Sequence, residues 1–188
     1  ELRADGHDIR QVDLGGGLGV PYRPGEEMPS PAALGEMAAR VTKDWNVEIM
    51  FEPGRVIAGN AGVLLTKVLW VKPGIARPYV IVDAAMNDLA RPSLYDAYHQ
   101  FQAVRPSGET MNANIAGPVC ETGDTFAMDR DIDVVAPGDL GVFRTAGAYG
   151  ATMASTYNSR SLVPEVLVSG DRYAIVADRI QAATVMAA

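Results

Sequence analysis

What most limits the folds open to this chain is a change of pattern near residue 60. Before that point, short β-like runs alternate with one helical run; after it, β-like runs follow one another closely with no long helical pattern between them. In the first part, QVDL runs straight into the glycine run Gly15-Gly16-Gly17-Leu18-Gly19. A helix is predicted over 31–45. Ser30 suits its N-cap, Pro31 its first position, and Leu34, Met37, Ala38, Val41 and Trp45 recur at helical spacing. Residues 47–51 then read as a short buried strand, stopped by Pro53-Gly54. Strand, loop, helix, strand is a βαβ pattern, which predicts a parallel pair. A complete (β/α)8 barrel needs about 250 residues, so this stretch supplies two βα units at most. The abrupt opening on a core strand points to missing material upstream, and the exposed edges of such a piece invite association unless covered.

The second part reads differently. Runs at 61–71, 78–84, 100–104, 113–117, 134–146, 164–170 and 172–177 are β-rich and punctuated by Gly, Pro, Asp and Asn. Many short strands without helices between them predict an antiparallel β-barrel or sandwich. A last helix is predicted over 178–186. The expected fold class is therefore α/β plus all-β. Residues 1–60 read as the end of a (β/α)8 barrel, 61–175 as a β domain, and 176–188 as a C-terminal helix and tail.

Composition excludes several classes. Of 188 residues, 48% are hydrophobic and 21% charged, so disorder is not the expected state. A net charge of −7 argues against a nucleic-acid partner. No apolar run approaches the roughly 18 residues of a membrane span, and the start does not read as a secretory signal. The expectation is a cytoplasmic protein with no membrane partner. One cysteine, Cys120, and two histidines, His7 and His99, are too few for a disulfide framework or a cysteine- or histidine-rich metal site, so no metal is expected.

Five short segments carry chemistry. The glycine run lets backbone N–H groups approach an anion such as phosphate, or makes a tight turn. Glu52-Pro53-Gly54-Arg55 places a carboxylate and a guanidinium after a parallel strand, where α/β barrels keep their active sites. Glu52 suits a protonated ring nitrogen and Arg55 a phosphate or carboxylate; the plain alternative is a turn with a surface ion pair. In Arg91-Pro92-Ser93-Leu94-Tyr95, the Arg and Tyr face one side of a helical turn and suit carboxylate recognition, or else form a polar loop. GPVCETGD sets Cys120, Glu121 and Asp124 in a loop, where the thiol can act as a proton donor or as a packing group. Arg144-Thr145-Ala146-Gly147-Ala148-Tyr149-Gly150 surrounds one tyrosine with small residues. Tyr149 can offer its hydroxyl to a ligand or simply pack.

Taken in order, GGGLG, EPGR, RPSLY, GPVCETGD and AGAYG resemble the C-terminal half of the diaminopimelate decarboxylases, pyridoxal 5'-phosphate enzymes of the alanine-racemase-like fold. The resemblance spans about Val12 to Ala174. It implies an N-terminal (β/α)8 barrel, a C-terminal β domain, and a homodimer with active sites at the subunit interface. It further implies that Gly17, Glu52, Pro53, Gly54, Arg55 and Tyr149 contact the cofactor, with Glu52 at the pyridine nitrogen. Arg55, Arg91, Tyr95, Glu121 and Tyr149 would hold an amino-acid substrate. Cys120 would supply the proton that follows loss of CO2. Glu121 after the cysteine, where ornithine decarboxylases typically carry Asp, fits a far end bearing both an amine and a carboxylate. Meso-diaminopimelate has both, and its decarboxylation to L-lysine closes lysine biosynthesis.

The sequence departs from the family in what it lacks. Its lysines are Lys43, Lys67 and Lys72, and none matches the family's Schiff-base motif. The family's cofactor-stacking histidine and earlier barrel strands are missing too. The chain is therefore read as a fragment, inactive alone, of a working decarboxylase. The alternatives are a non-catalytic dimerisation or partner-binding module, or a decarboxylase of a related basic amino acid.

Overall fold

A βαβ unit opens the chain. The computed structural model describes residues 1–186. Strands β1 (Gln11–Asp13) and β2 (Glu48–Met50) pair in parallel, with Val12 opposite Ile49, and helix α1 (Pro31–Thr42) connects them. Ser30 caps α1, its Oγ accepting from the Ala33 amide at 3.1 Å. The helix stops short of the predicted 45. Trp45 N turns back to Thr42 O at 2.9 Å and Asn46 takes a left-handed φ of 50°, a conformation that ends helices. Of the predicted apolar face only Ala38 is buried; Met37, Val41 and Trp45 are exposed. Strand β2 was predicted buried, yet it alternates exposed and half-buried, because among the described residues β1 is its only strand partner.

Immediately after β2, the EPGR segment enters a short helix, α2 (Gly54–Ala58), rather than a plain turn. There follow β3 (Leu64–Lys72), β4 (Tyr79–Val82), helix α3 (Arg91–Tyr95), β5 (Phe101–Ala103), β6 (Thr110–Ala116), β7 (Thr125–Asp133) and β8 (Leu140–Phe143). These strands form one six-stranded sheet in the order β5-β8-β3-β4-β6-β7. Val68, Val80, Val82, Ile115, Phe126 and Phe143 fill its interior. The two edge strands meet: Ala103 N donates to Asp133 Oδ2 at 2.8 Å, and Arg130 Nη1 donates to the His99 carbonyl at 2.7 Å. The sheet is thus a nearly closed barrel, which removes most of the exposed edge.

The pairing is not wholly antiparallel as predicted, since β4 and β6 run parallel. The chain between them includes α3 and β5, enough length for the crossover that a parallel pair requires. Strand β7 was not foreseen. Its sequence, TFAMDRDID, carries charges at Asp129, Arg130, Asp131 and Asp133, while Phe126, Ala127 and Ile132 face the core.

Beyond the barrel, β9 (Glu165–Ser169) and β10 (Arg172–Ala177) make an antiparallel hairpin with every residue of β9 exposed. The last helix, α4 (Ala182–Met186), starts later than predicted, because Ile180 is held in a bridge with Leu162. Residues 187–188 of the predicted tail lie outside the described residues. Among those described, no helix is long and apolar enough to cross a membrane.

Candidate functional site

The glycine loop and the segment after β2 are laid against each other by backbone bonds. Leu14 N donates to Met50 O at 3.0 Å, and Glu52 N donates to Gly15 O at 2.8 Å. The turn is braced by Asp13, whose Oδ1 accepts from Gly15 N at 2.7 Å. A Cβ on Gly16 would collide with the Glu52 carbonyl, so only glycine permits this approach. Gly17 follows with a φ of +90°. Arg55 stands in the first turn of α2, its Nε buried with no hydrogen-bond partner among the described residues.

A second set of bonds ties the β8 end to this region. Gly147 N donates to Gly59 O at 3.1 Å and Ala146 N donates to Gly62 O at 2.9 Å. Thr145 Oγ1 donates to Asn60 Oδ1 at 3.0 Å. Thr145 and Tyr149 both sit at positive φ, 59° and 61°. For a β-branched residue this conformation is strained, and it persists only where neighbours enforce it. The result presents Tyr149 half-exposed beside Arg91, whose guanidinium lies 5.8 Å from the Tyr149 ring centroid.

Arg91 opens α3 and is half-buried. Its Nη1 donates to Tyr22 Oη at 2.9 Å and lies 3.2 Å from His99 Nε2. Tyr22 belongs to the stretch that leaves the glycine loop, so Arg91 links that stretch to the barrel. Tyr95, at the other end of α3, is 64% exposed. Among the described residues no side-chain hydrogen bond joins Arg91 to Tyr95, whereas the Arg91 guanidinium lies beside the Tyr149 ring.

Cys120 and Glu121 lie on an exposed loop whose shape depends on Asp124. The Asp124 carboxylate accepts from Val119 N at 2.6 Å and Met86 N at 2.7 Å, while its own amide donates to Glu121 O at 3.0 Å. Burial raises the Asp124 pKa, and the two amide bonds together with Arg160 oppose that rise. Glu121 Oε2 accepts from Tyr157 Oη at 3.2 Å, and this bond to the carboxylate holds the phenol's pKa above its ordinary value. Asn87, itself buried, donates to the carbonyls of Ser155 and Tyr157 and straps that segment down. Among the described residues, no hydrogen bond or ion pair joins the side chains of Cys120 or Glu121 to Glu52, Arg55, Arg91 or Tyr149.

Sequence reasoning gave no role to Tyr22, Asn87 or Tyr157, weighed His99 only as a metal ligand, and took Asp124 only as an acidic neighbour. Tyr22 could have been suspected from its place just after the glycine run. Nothing local marks Tyr157, which reaches Glu121 only through tertiary folding. The lysines stand apart: Lys43 caps α1 and Lys67 and Lys72 lie in β3. No cluster of metal-ligating side chains occurs among the described residues.

Comparison with known proteins agrees with this layout. Residues 11–147 match the family described as "Pyridoxal-dependent decarboxylase, C-terminal sheet domain". The chain is 57% identical over 179 residues to the diaminopimelate decarboxylase of Zymomonas mobilis, covering 95% of this chain and 42% of that protein. It is 47% identical to the Neisseria meningitidis serogroup A protein of the same name, of which it covers 44%. The chain thus spans less than half the length of the curated relatives it matches. The crystal structure of the Helicobacter pylori diaminopimelate decarboxylase complexed with L-lysine superposes with a TM-score of 0.91 at 38% identity, covering 99% of this chain and 46% of that one. The nearly closed sheet, the loops gathered beside it and the family match over most of the chain's length lead to one conclusion: the chain belongs to the pyridoxal-dependent decarboxylases and carries their C-terminal sheet domain.

Proposed function

We propose that the complete polypeptide carrying this chain decarboxylates meso-diaminopimelate to L-lysine and CO2, and that this chain contributes the cofactor's phosphate and ring contacts, the substrate clamp and the proton donor. The observation that carries the reading is the placement of Arg91. Its guanidinium is fixed by Tyr22, just beyond the glycine loop, and lies beside Tyr149, whose own loop is bonded to the turn that follows the helix bearing Arg55. An arginine there sits next to the expected cofactor cradle, with its charge available to a carboxylate. The named relatives supply the substrate class.

The residues present suit pyridoxal phosphate. The buried, unpartnered Arg55 Nε and the glycine loop offer N–H donors of the kind a phosphate needs. When bound, the cofactor supplies the electron sink for loss of CO2. Glu52 keeps the ring nitrogen protonated from the end of β2. Arg55 and the loop around Gly17, with Pro53 and Gly54 shaping the turn, hold the phosphate, and Tyr149 touches cofactor and substrate. Arg91 binds the distal carboxylate of the substrate, Glu121 its distal amine, and Tyr95 completes the pocket's outer wall. The Cys120 thiol delivers the proton that replaces the departing carboxylate at the α-carbon.

In this reading the cofactor-anchoring lysine comes from a barrel portion outside this chain, with the boundary near residue 60. Cys120 and Glu121, exposed and with no side-chain hydrogen bond to Arg91 among the described residues, serve the second subunit of a homodimer that works in the cytoplasm. The test is release of CO2 and L-lysine from meso-diaminopimelate by the complete polypeptide. Cys120→Ala there is expected to lower turnover by about a hundredfold or more. This chain alone, given pyridoxal phosphate, is expected to release none. Unchanged turnover in Cys120→Ala would make the cysteine a packing residue, and turnover by the isolated chain would overturn its reading as a fragment.

A further inference from the structure

Arg91 is held by a group that the proposed reaction does not use. His99 is 1% exposed, and both of its ring nitrogens have partners: Nδ1 lies 3.0 Å from the Arg144 carbonyl oxygen and Nε2 lies 3.2 Å from Arg91 Nη1. A carbonyl oxygen can only accept, so Nδ1 carries the ring proton. A guanidinium can only donate, so Nε2 must present its lone pair. Both contacts are therefore satisfied only by the neutral ring with its proton on Nδ1. Burial pushes the His99 pKa down, and the nearby charges of Arg91 and Arg130 push the same way against the bond to Arg144. Tyr22 completes the enclosure. Its ring meets His99 edge-on at 5.5 Å, with the Arg91 guanidinium 5.0 Å from its centroid.

Among the described residues, the Arg91 side chain has hydrogen-bond partners only at Nη1, namely Tyr22 and His99. Both are uncharged. An aspartate or glutamate in the place of His99 would orient the guanidinium equally well, but it would cancel the charge and compete with an incoming carboxylate. A neutral acceptor fixes direction while leaving the full charge for a ligand.

We propose that His99 is a positioning residue for substrate selection: it orients Arg91 through Nε2, so that the remaining edge of the guanidinium meets the distal carboxylate of a diamino dicarboxylic acid. The inference rests on the reading of Arg91 as the carboxylate clamp.

The test uses the complete polypeptide with pyridoxal phosphate. Steady-state constants for meso-diaminopimelate are measured beside the affinity for 1,5-diaminopentane, which lacks the distal carboxylate that both the substrate and L-lysine carry. His99→Leu removes the acceptor, and His99→Asn keeps an amide near the Nδ1 position only. Each is expected to raise KM for meso-diaminopimelate about tenfold or more, the worth of a hydrogen bond to a charged group. In each, kcat and 1,5-diaminopentane affinity stay within about threefold of the parent. His99→Gln, whose side-chain oxygen reaches the Nε2 position, is expected to restore most of the loss, and it keeps the test alive if the leucine variant does not fold. Adding His99→Leu to Arg91→Ala is expected to raise KM no further. The proposal is overturned if KM is unmoved in His99→Leu and His99→Asn while Arg91→Ala raises it. It is also overturned if 1,5-diaminopentane affinity falls in step with KM, which would mark His99 as a core residue. An Arg91→Ala variant with an unchanged KM removes the clamp itself, and the substrate reading falls with it.

Discussion

The six-stranded sheet and the β1–α1–β2 unit solve the same problem in opposite ways. The sheet curls until β5 meets β7 and buries Val68, Val80, Val82, Ile115 and Phe143 completely. The βαβ unit has only two strands, and its apolar residues Met37, Val41, Trp45, Met50 and Phe51 stay exposed. The β9–β10 hairpin behaves like the second case, with Val166, Leu167, Val168, Tyr173 and Ile175 all at least half exposed. A sheet that closes on itself needs no neighbour to complete its core, whereas an open parallel pair does. The candidate site lies along the seam between the two regions, where Gly147 N bonds to Gly59 O and Arg91 to Tyr22.

If stability resides in the closed sheet, the largest loss follows from Phe143→Ala. Phe143 packs on Phe101 and Phe126, with ring centroids at 5.4 and 4.4 Å, and is fully buried. A loss of about 3–5 kcal/mol is expected in chemical unfolding. A loss below about 1 kcal/mol would mean that the sheet is not the stabilising core.

Asp124→Ala tests whether the sheet's loops carry their own order. Two half-buried amides lose their acceptor, for an expected cost of about 1–3 kcal/mol. Faster hydrogen exchange should appear at Val119 and Met86 and should not spread to β1 or β2. Exchange that rose equally in the βαβ unit would erase the contrast between the regions.

A smaller effect is expected from pH. His99 has its folded pKa pushed below the ordinary 6.5. As pH falls from 6.5 toward that value, the unfolded chain takes up a proton that the native chain does not, so stability falls. Asp88 and Asp124, raised by burial from 3.8, act in the opposite sense: stability rises as pH falls from their raised values to 3.8. Subtracting the profile of His99→Gln from that of the parent cancels the carboxyl contribution. The difference should slope only in the histidine window, and a flat difference would mean the ring titrates normally.

The smallest effect belongs to the hairpin. Val168→Ser removes an apolar group that is 67% exposed, so thermal unfolding of this chain should shift by no more than about 0.5 kcal/mol. A large shift would show that the hairpin is part of the core after all.

Particular residues show what could be read early. The helix at 31–42 announced itself through Ser30, Pro31 and its apolar spacing, although only Ala38 of that face is buried. The strands flanked by Gly and Pro were visible, but β7 was not, since its one inward face is interrupted by charges that point to solvent or pair with β5. The parallel β4–β6 pair was beyond reach, because strand direction depends on the route of the intervening chain. Glu52, Arg55, Arg91, Cys120 and Tyr149 each lie in a short motif and could be nominated from it. Tyr22, His99 and Tyr157 could not, because their partners are far away in sequence and nothing beside them signals the contact.

By itself the amino-acid order determined the local matters: where glycines free the backbone, where Ser30 and Pro31 start a helix, and where β-branched runs make strands. Those depend on forces acting over a few residues, and they are written in spacing and residue type. Only the tertiary structure decided which edges close, that Asp124 clamps the Cys120 loop, and that a buried neutral histidine stands behind Arg91. These depend on groups brought together across the chain, where burial sets protonation and the available partner sets direction.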